Sequence, residues 1–201
     1  KSLFPQAGGY TIQNGDLALS DNLWINETTG TTSFRLFSNG SNGNVSVNTP
    51  RVVIGADAAS VRNNLSLDTL TGGIASLTST DKITIGNDGN FNSLTINYSG
   101  TSAPVSQVAS ATITAPTIQM SVAATAGSAT DGWNWLGTYS SDAVVNASNV
   151  VIGVAGDQGG AENYGGTWNV ANTTLGDQAG SDFNYLTIAG GGAYTNSGAF
   201  T

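Results

Sequence analysis

Neither cysteine nor histidine occurs among the 201 residues of this chain. Without cysteine there is no disulfide, thiolate metal site or cysteine nucleophile. Without histidine the chain lacks the commonest general base and any Ser-His-Asp triad. An enzyme built on this sequence would have to use carboxylates alone, as glycosidases do. Because only two Glu are present and the few acids fall mainly in predicted turns, we expect no enzymatic activity, with a carboxylate glycosidase as a remote alternative.

Charge is also scarce and unevenly distributed. Charged residues make up 9% of the chain, against roughly 25% in ordinary globular proteins. The basic residues all lie in the first 82 positions: Lys1, Arg35, Arg51, Arg62 and Lys82. A surface that reads phosphates needs clustered cations, so we expect no nucleic-acid partner. No apolar run of 18 residues occurs, which predicts no membrane-spanning segment.

What the sequence does contain is alternation. In 111–120, ATITAPTIQM, apolar or small residues alternate with polar ones, and the phase shifts by one at Pro116. The segment 45–54, VSVNTPRVVI, repeats this design 66 residues earlier, with Pro50 at the equivalent place. Alternation with a period of two indicates a strand with one buried face, and proline belongs at an edge, corner or bulge. The pattern predicts recurring strand–corner–strand units.

These features predict an all-β fold without substantial helix. Short β-like segments, bounded by turn formers such as Asn14-Gly15, favour a β-solenoid-like stack, and an antiparallel β-sandwich or jelly roll is the alternative. Only 57–65, DAASVRNNL, suggests a turn or two of helix. The 66-residue offset is about three times 22. GDQGGAENY (156–164) and GDQAGSDFNY (176–185) start 20 residues apart, so the sequence suggests coils of about 20 residues.

Composition divides the chain into three parts. Residues 1–9 are predicted to be an N-terminal arm, 10–126 a β-rich body, and 127–201 a Gly- and Trp-rich β cap or second β region. An arm of this kind could add a strand to a neighbouring subunit. The candidate subunit-contact residues are Leu3, Phe4, Tyr10, Ile12, Leu17 and Leu19.

Several segments resemble the coils of a known class of protein: VSVNTPRVVIG, IASLTSTDKITIG, SATITAPTIQM and LTIAGGG. They are similar to secreted β-solenoid surface adhesins of the filamentous-haemagglutinin type, and ITAPTI also resembles corners of phage and secretion-system spike proteins. The resemblance covers residues 10–126 and is compositional. It implies a parallel stack of short strands at a cell or virion surface, and it carries over no catalytic residue.

Three tryptophans of the tail form a candidate sugar-stacking platform: Trp133, Trp135 and Trp168. Trp133 and Trp135 are two residues apart, so they would point the same way on one strand. Aromatic side chains more often fill cores than bind sugars, so burial in the core is the alternative interpretation.

Two further sets of candidate residues follow from short motifs. Seven N-x-S/T sequons mark possible glycan acceptors at Asn26, Asn39, Asn44, Asn64, Asn97, Asn146 and Asn172. Four acids among Gly, Asn and Gln offer oxygen ligands for calcium, or else lie in solvated turns: Asp157, Glu162, Asp177 and Asp182. Apart from this calcium site we expect no cofactor.

Together these observations predict an extracellular, non-enzymatic structural protein of the cell surface. It would be a self-assembling subunit of a surface filament, a pilus-like fibre or a surface layer, whose main partner is itself. Open strand edges would serve as templates for pairing between copies. The alternative is a carbohydrate-binding adhesin or a phage tail-fibre domain that recognises surface glycans through the tryptophan-bearing tail.

Overall fold

The computed structural model describes residues 3, 5, 8–25, 30–40, 43–55, 60–70, 72–86, 91–97, 110–122, 133–155, 158–177 and 183–201. Within this part of the chain the secondary structure is β throughout, and no helix is long and apolar enough to cross a membrane. The strands are β1 (Gly8–Gln13), β2 (Asp16–Ala18), β3 (Leu23–Ile25), β4 (Gly30–Ser38), β5 (Asn44–Ile54), β6 (Ser60–Thr69), β7 (Ile74–Ile85), β8 (Phe91–Ile96), β9 (Ser110–Met120), β10 (Asn134–Thr138), β11 (Ala143–Ile152), β12 (Gly159–Asn163), β13 (Thr167–Leu175), β14 (Tyr185–Ile188) and β15 (Ala193–Asn196).

The strands form two parallel sheets. A seven-stranded sheet has the order β1-β4-β6-β8-β10-β12-β14, and an eight-stranded sheet has the order β15-β13-β11-β9-β7-β5-β2, with β3 also paired to β5. From β4 onward, successive strands alternate between the two sheets. Every described ladder between these strands is parallel. The alternative fold that the sequence allowed, an antiparallel sandwich, would instead have antiparallel ladders.

The core lies between the sheets and is built from columns of like residues. Alternate residues of each strand face inward, as in β9 with its buried Ala111, Ile113 and Ala115. Register then stacks equivalent residues of successive strands, for example Val47, Leu77, Ile113, Val145 and Trp168. Burying a Val, Leu or Ile side chain stabilises a fold by about 1.5–3 kcal/mol, so these columns supply most of the favourable energy.

The proline-containing segments are continuous strands with a local irregularity. In β5 the two neighbouring residues Pro50 and Arg51 both lie outside the core, and the register against β7 shifts there. Ser79 of β7 donates hydrogen bonds from Oγ to the carbonyls of Pro50 (2.7 Å) and Lys82 (2.9 Å). The predicted corner is therefore a bulge, which keeps apolar residues inward on both sides of the proline.

The repeat length differs from the sequence prediction. The equivalence of Val45 with Ala111 is confirmed, but β7 lies between their strands. Ala75 stacks between them, 30 residues after Val45 and 36 before Ala111, so the spacing near 22 was wrong for this region. The 20-residue repeat of the tail is also out of register, because Gly160 pairs with Tyr185.

A column of left-handed residues follows five strands of the eight-stranded sheet. Residues directly after β5, β7, β9, β11 and β13 all have positive φ: Gly55 (71°), Gly86 (74°), Ser121 (53°), Gly153 (75°) and Gly176 (77°). The N–H of each donates to the last residue of the preceding strand, as Gly86 does to Ile54 at 2.8 Å. Glycine suits this corner because it has no Cβ to clash in the left-handed conformation.

A ladder of buried asparagines runs beside this corner. Asn63 donates from Nδ2 to Oδ1 of Asn92 (2.7 Å), and Asn92 donates likewise to Asn134 (2.7 Å). The ladder ends at Asn134, whose Nδ2 donates to Oγ of Ser121 (2.9 Å). This hydrogen bond explains why the corner column contains serine at this position and glycine at the others. Buried amides must be paired, so the ladder ties β6, β8 and β10 to one register.

Two sequence predictions change at this level. The possible helical turn in 57–65 was wrong for its described part, since β6 begins at Ser60 and Asn63 joins the buried ladder. The sequence also predicted a separate region from residue 127 onward. In the structure, strands on the two sides of this residue pair with each other: β10 with β8, and β11 with β9. The tail therefore continues the same two sheets.

Replacing Gly86 with alanine should destabilise the fold. The added Cβ would collide with the Asn134 side chain, and φ of 74° is strained for any residue with a Cβ. We expect a loss of about 1–3 kcal/mol in the free energy of unfolding, measured by urea titration. Gly9→Ala is the control, since nothing lies within 4 Å of its added Cβ. Equal stabilities of the two variants would contradict the packing described.

Replacing Asn92 with alanine should break the asparagine ladder at its centre. Nδ2 of Asn63 would lose its acceptor and Oδ1 of Asn134 its donor, at about 1–3 kcal/mol for each unsatisfied group. Asn48→Ala is the control. Asn48 is exposed on β5, so its replacement should alter thermal stability little. A melting temperature for Asn92→Ala equal to that of the control would show that the ladder contributes nothing.

Candidate functional site

The outer face of the seven-stranded sheet carries aromatic side chains across four neighbouring strands. Phe91, Trp135 and Tyr185 lie on β8, β10 and β14, and Trp133 immediately precedes β10. Neighbouring strands are about 4.8 Å apart, so β8 to β14 span roughly 14 Å. We call Phe91, Trp133, Trp135, Tyr164 and Tyr185 the aromatic surface. Tyr139, which lies beside them, is buried.

Two outward-facing glycines make room for rings that lie against the sheet. A Cβ at Gly137 would lie 2.6 Å from Cε2 of Tyr139, and one at Gly160 would lie 2.6 Å from Cζ of Tyr185. Each ring thus covers a glycine backbone, an arrangement that compensates for the missing side chain in a strand. The glycines flatten this part of the face.

Glu162 holds two of these rings in place. The Tyr139 hydroxyl donates to Oε2 of Glu162 (2.6 Å), and the Tyr185 hydroxyl donates to Oε1 (2.8 Å). Tyr139 in turn stacks on Tyr164 with centroids 5.6 Å apart and planes 12° apart. Burial raises the pKa of Tyr185, and the hydrogen bond and charge of Glu162 raise it further. Tyr185 is therefore a protonated donor to Glu162 at neutral pH.

A groove of about 210 Å³ opens beside the aromatic surface, on β6, β8 and β10. It is lined by Arg62, Asn64, Phe91, Ser93 and Trp135. The Phe91 and Trp135 rings meet edge to face, with centroids 4.9 Å apart and an interplanar angle of 88°. The Arg62 guanidinium lies over the Phe91 ring, 4.3 Å from its centroid. Ser93 donates from Oγ to Oδ1 of Asn64 (2.9 Å), so the groove joins an aromatic wall to polar groups.

A second groove, of about 450 Å³, lies on the outer face of the eight-stranded sheet at the proline bulges. Its lining is small or uncharged: Ser79, Thr114, Ala115, Pro116, Asn146, Ala147, Ser148 and Asn169. Asn169 donates from Nδ2 to Oδ1 of Asn146 (3.0 Å). This lining contains neither a charged nor an aromatic side chain, so the second groove offers fewer interactions for selecting a ligand than the first.

The predicted sugar-stacking set is divided by the structure. Trp133 is 40% exposed and Trp135 half-buried, and both belong to the aromatic surface. Trp133 packs edge to face on Tyr185, with centroids 5.6 Å apart. Trp168 was wrong as a stacking residue, because it is fully buried and its Nε1 donates to Oγ1 of Thr138 (2.9 Å). It faces inward with Val170 on β13 and fills the core.

The sequons differ in accessibility. Asn39 and Asn44 are exposed, and Asn64 is half-buried in the groove. Asn146 and Asn172 lie on the outer face of the eight-stranded sheet, where they bond to Asn169 and Asn149. Asn97 was wrong as a glycan acceptor in the folded chain, since it is 7% exposed and its side chain bonds to Thr69. Asn26 lies outside the described residues.

The structure describes two of the four predicted calcium ligands. Glu162 lies in β12 and accepts two tyrosine hydroxyls, whereas Asp177 is exposed just after β13. Asp157 and Asp182 lie outside the described residues. Among the residues that are described, no three acids, histidines or cysteines lie close enough to hold a metal ion.

The described candidate residues of the predicted arm pair or pack within their own chain. Leu3 forms a parallel bridge with Leu23 of the same chain, and its N–H donates to Asn22 O (3.1 Å). Tyr10 and Ile12 belong to β1, and Leu17 to β2. Leu19 is buried in the core, so it was wrong as a contact for another subunit. Phe4 lies outside the described residues.

Sequence reasoning missed Arg62, Phe91 and Tyr185 as members of this site. Each is distant in sequence from the tryptophans, and only strand register brings them together: Arg62 pairs with Phe91, and Ser93 with Trp135. No local sequence signal points to them, because the site is formed by contacts between strands.

Comparison with known proteins yields no relative. No family model, no curated protein and no solved structure matches the chain significantly.

Replacing Tyr185 with phenylalanine should flatten the dependence of stability on alkaline pH. Above about pH 10, the ordinary tyrosine pKa, the unfolded chain loses this proton while folded Tyr185 retains it. The free energy of unfolding of the wild type should therefore fall as pH rises, and that of Tyr185→Phe should fall less steeply. Urea titrations between about pH 9 and about pH 11 measure this. Tyr10→Phe, on the opposite edge strand, is the control, and identical slopes for all three proteins would contradict the arrangement.

Proposed function

We propose that the chain is a β-solenoid in which each coil contributes one strand to each sheet. Support comes from the parallel ladders and from the regular alternation of strands between the sheets. The column of corner residues fits the same description, because equivalent turns recur once per coil. In a solenoid each coil contacts its neighbours only, so the two end coils have one uncovered side.

The function that this geometry supports best is that of an extracellular structural subunit which assembles with copies of itself into a surface filament, a pilus-like fibre or a surface layer. One observation carries the proposal: in the described part of the chain, the outermost strands β1 and β2 at one end and β14 and β15 at the other pair with a neighbouring strand on one side only. Such edges present unpaired backbone N–H and C=O groups. Pairing of unlike ends repeats without closure and produces a filament.

Apolar side chains near the β14 and β15 edge support the same mode of contact. Phe183 is 70% exposed, Phe200 56% and Ile188 45%. At the opposite edge Tyr10 is 40% exposed. Burying such side chains against another copy would add apolar burial to backbone pairing.

The chain could assemble in two ways: its N-terminal residues could add a strand to another copy, or the ends of the sheets could stack. Stacking of the ends is favoured. The arm route requires residues 1–20 to be free, whereas β1 and β2 pair with β4 and β5 of their own chain. Removing residues 1–20 would uncover these strands and remove Leu19 from the core, so this truncation would not separate assembly from folding.

A second candidate function is carbohydrate binding through the aromatic surface and its groove. The favouring observation is the combination of exposed rings with arginine, amide and hydroxyl groups on adjacent strands. Binding sites for small polar ligands combine apolar walls with a few placed polar groups in this way. Assembly through the ends leaves this lateral face open, so the two functions are compatible.

Lysine substitutions at one end should prevent assembly. The wild type is expected to form filaments in negative-stain images, and Ile188→Lys with Phe200→Lys should leave monomers, because charges would be buried between copies. Leu70→Lys is a matched control, since Leu70 is 46% exposed, against 45% for Ile188, but follows an interior strand of the sheet. It should assemble normally.

Two results would contradict the proposal. One is a wild-type protein that sediments as a monomer at every concentration. The other is the loss of filaments in Leu70→Lys to the same degree as in the double variant, which would place the contact away from the ends.

A further inference from the structure

Arg62 differs from Arg35 and Arg51, each of which forms an ion pair with a described aspartate. Arg35, on the same face, lies 2.6 Å from Asp68, and Arg51 is paired with Asp81. Within the described part of the chain no carboxylate lies within ion-pair distance of Arg62, whose recorded contact is the Phe91 ring. Among the residues that the structure describes, the groove thus holds a cation without a carboxylate partner, in a protein whose net charge is −8.

The stacking of Arg62 has a chemical consequence. The Arg62 guanidinium carbon lies 4.3 Å from the Phe91 centroid, and a guanidinium held over a ring face still has planar N–H donors that can form paired bonds with a carboxylate. Such bidentate, charge-assisted bonds are stronger than neutral ones. The contact with Phe91 therefore prepares Arg62 for a planar anion at the groove.

The remaining groove residues suit a sugar ring. Phe91 and Trp135 supply apolar walls, and the amide of Asn64, which accepts the Ser93 bond through Oδ1, keeps N–H donors for a hydroxyl. The volume of about 210 Å³ is small for a drug-sized ligand and suits a single ring. Beyond Trp135 the aromatic surface continues across Gly160 to Tyr185, so further units of a chain would have a flat path.

We propose that this groove is a subsite for a carboxylate-bearing sugar unit, such as a uronate residue of an acidic polysaccharide. Arg62 binds the carboxylate, Phe91 and Trp135 pack against the ring, and Asn64 donates to a hydroxyl. The inference rests on the carbohydrate-binding candidate function and is independent of assembly through the ends.

The test compares two oligosaccharides of equal length, one containing glucuronate and one containing only glucose, by isothermal titration calorimetry. The protein is produced in a host that adds no N-glycan, because Asn64 is a sequon residue within the groove. A charge-assisted pair is worth about 1.5–3 kcal/mol, so the wild type should prefer the acidic ligand by roughly 10- to 100-fold. Arg62→Gln should lose this preference while retaining binding of the neutral ligand.

Arg35→Gln is the matched control. Arg35 also lies over a phenylalanine ring, 4.1 Å from the Phe37 centroid, but Asp68 already neutralises it. Its substitution should leave the preference unchanged. Trp135→Ala should weaken binding of both ligands, and circular dichroism of each variant verifies the fold.

Each other outcome has a definite meaning. If Arg62→Gln keeps the preference, or if Arg35→Gln loses it equally, the proposal is overturned. If the wild type binds both ligands equally, the carbohydrate-binding function stands and the acidic subsite is rejected. If the wild type binds neither ligand, both are rejected, while assembly is judged separately by the images of the end variants.

Discussion

The corner that follows five strands of the eight-stranded sheet is the constraint on which the rest of the structure depends. There the chain adopts a left-handed conformation after β5, β7, β9, β11 and β13, and each corner N–H bonds to the neighbouring strand of the sheet. The buried asparagines next to the corner pair from strand to strand, so a slip by one residue would leave several buried amides unsatisfied. Register is therefore fixed by polar groups inside the core and by backbone at its rim, while the apolar columns supply the bulk of the energy.

Fixed register gives the outer faces their chemistry. Because equivalent positions stack, side chains from residues 62, 91 and 135 meet on one surface although they are far apart in sequence. Two glycines on the same face admit tyrosine rings that a side chain would displace, and Glu162 orients those rings. The face that results is flat, aromatic and weakly charged, with Arg62 at one side. The same regularity leaves edges of parallel strands at the two ends of the stack.

Alternation in the sequence was sufficient to predict the β class and to align Val45 with Ala111, because both depend on which residues face inward. It failed on coil length, since the intervening strand β7 has no proline and escaped a match based on Pro50 and Pro116. The inward position of Trp168 follows from the same alternation, because the apolar Val170 lies two residues later on the same strand. The burial of Asn97 does not follow from alternation, since this residue lies after β8 with a φ of 51° and bonds to Thr69 of the neighbouring strand.

The groove beside Arg62 could not have been found from the sequence, since it depends on contacts between strands and not on any local motif. Asn63 shows the same limit: it is one of 21 asparagines, and its bond to the buried Asn92 depends on the pairing of β6 with β8. Polar residues in this chain thus have roles that depend on their position in the sheets, which composition does not reveal.

The most direct test of the account is hydrogen–deuterium exchange measured at several protein concentrations. If open sheet edges pair between copies, the amides of β1, β14 and β15 should gain protection as concentration rises, while those of β7 and β9 remain protected throughout. Edge amides that exchange equally fast in dilute and concentrated protein would contradict assembly through the ends of the sheets.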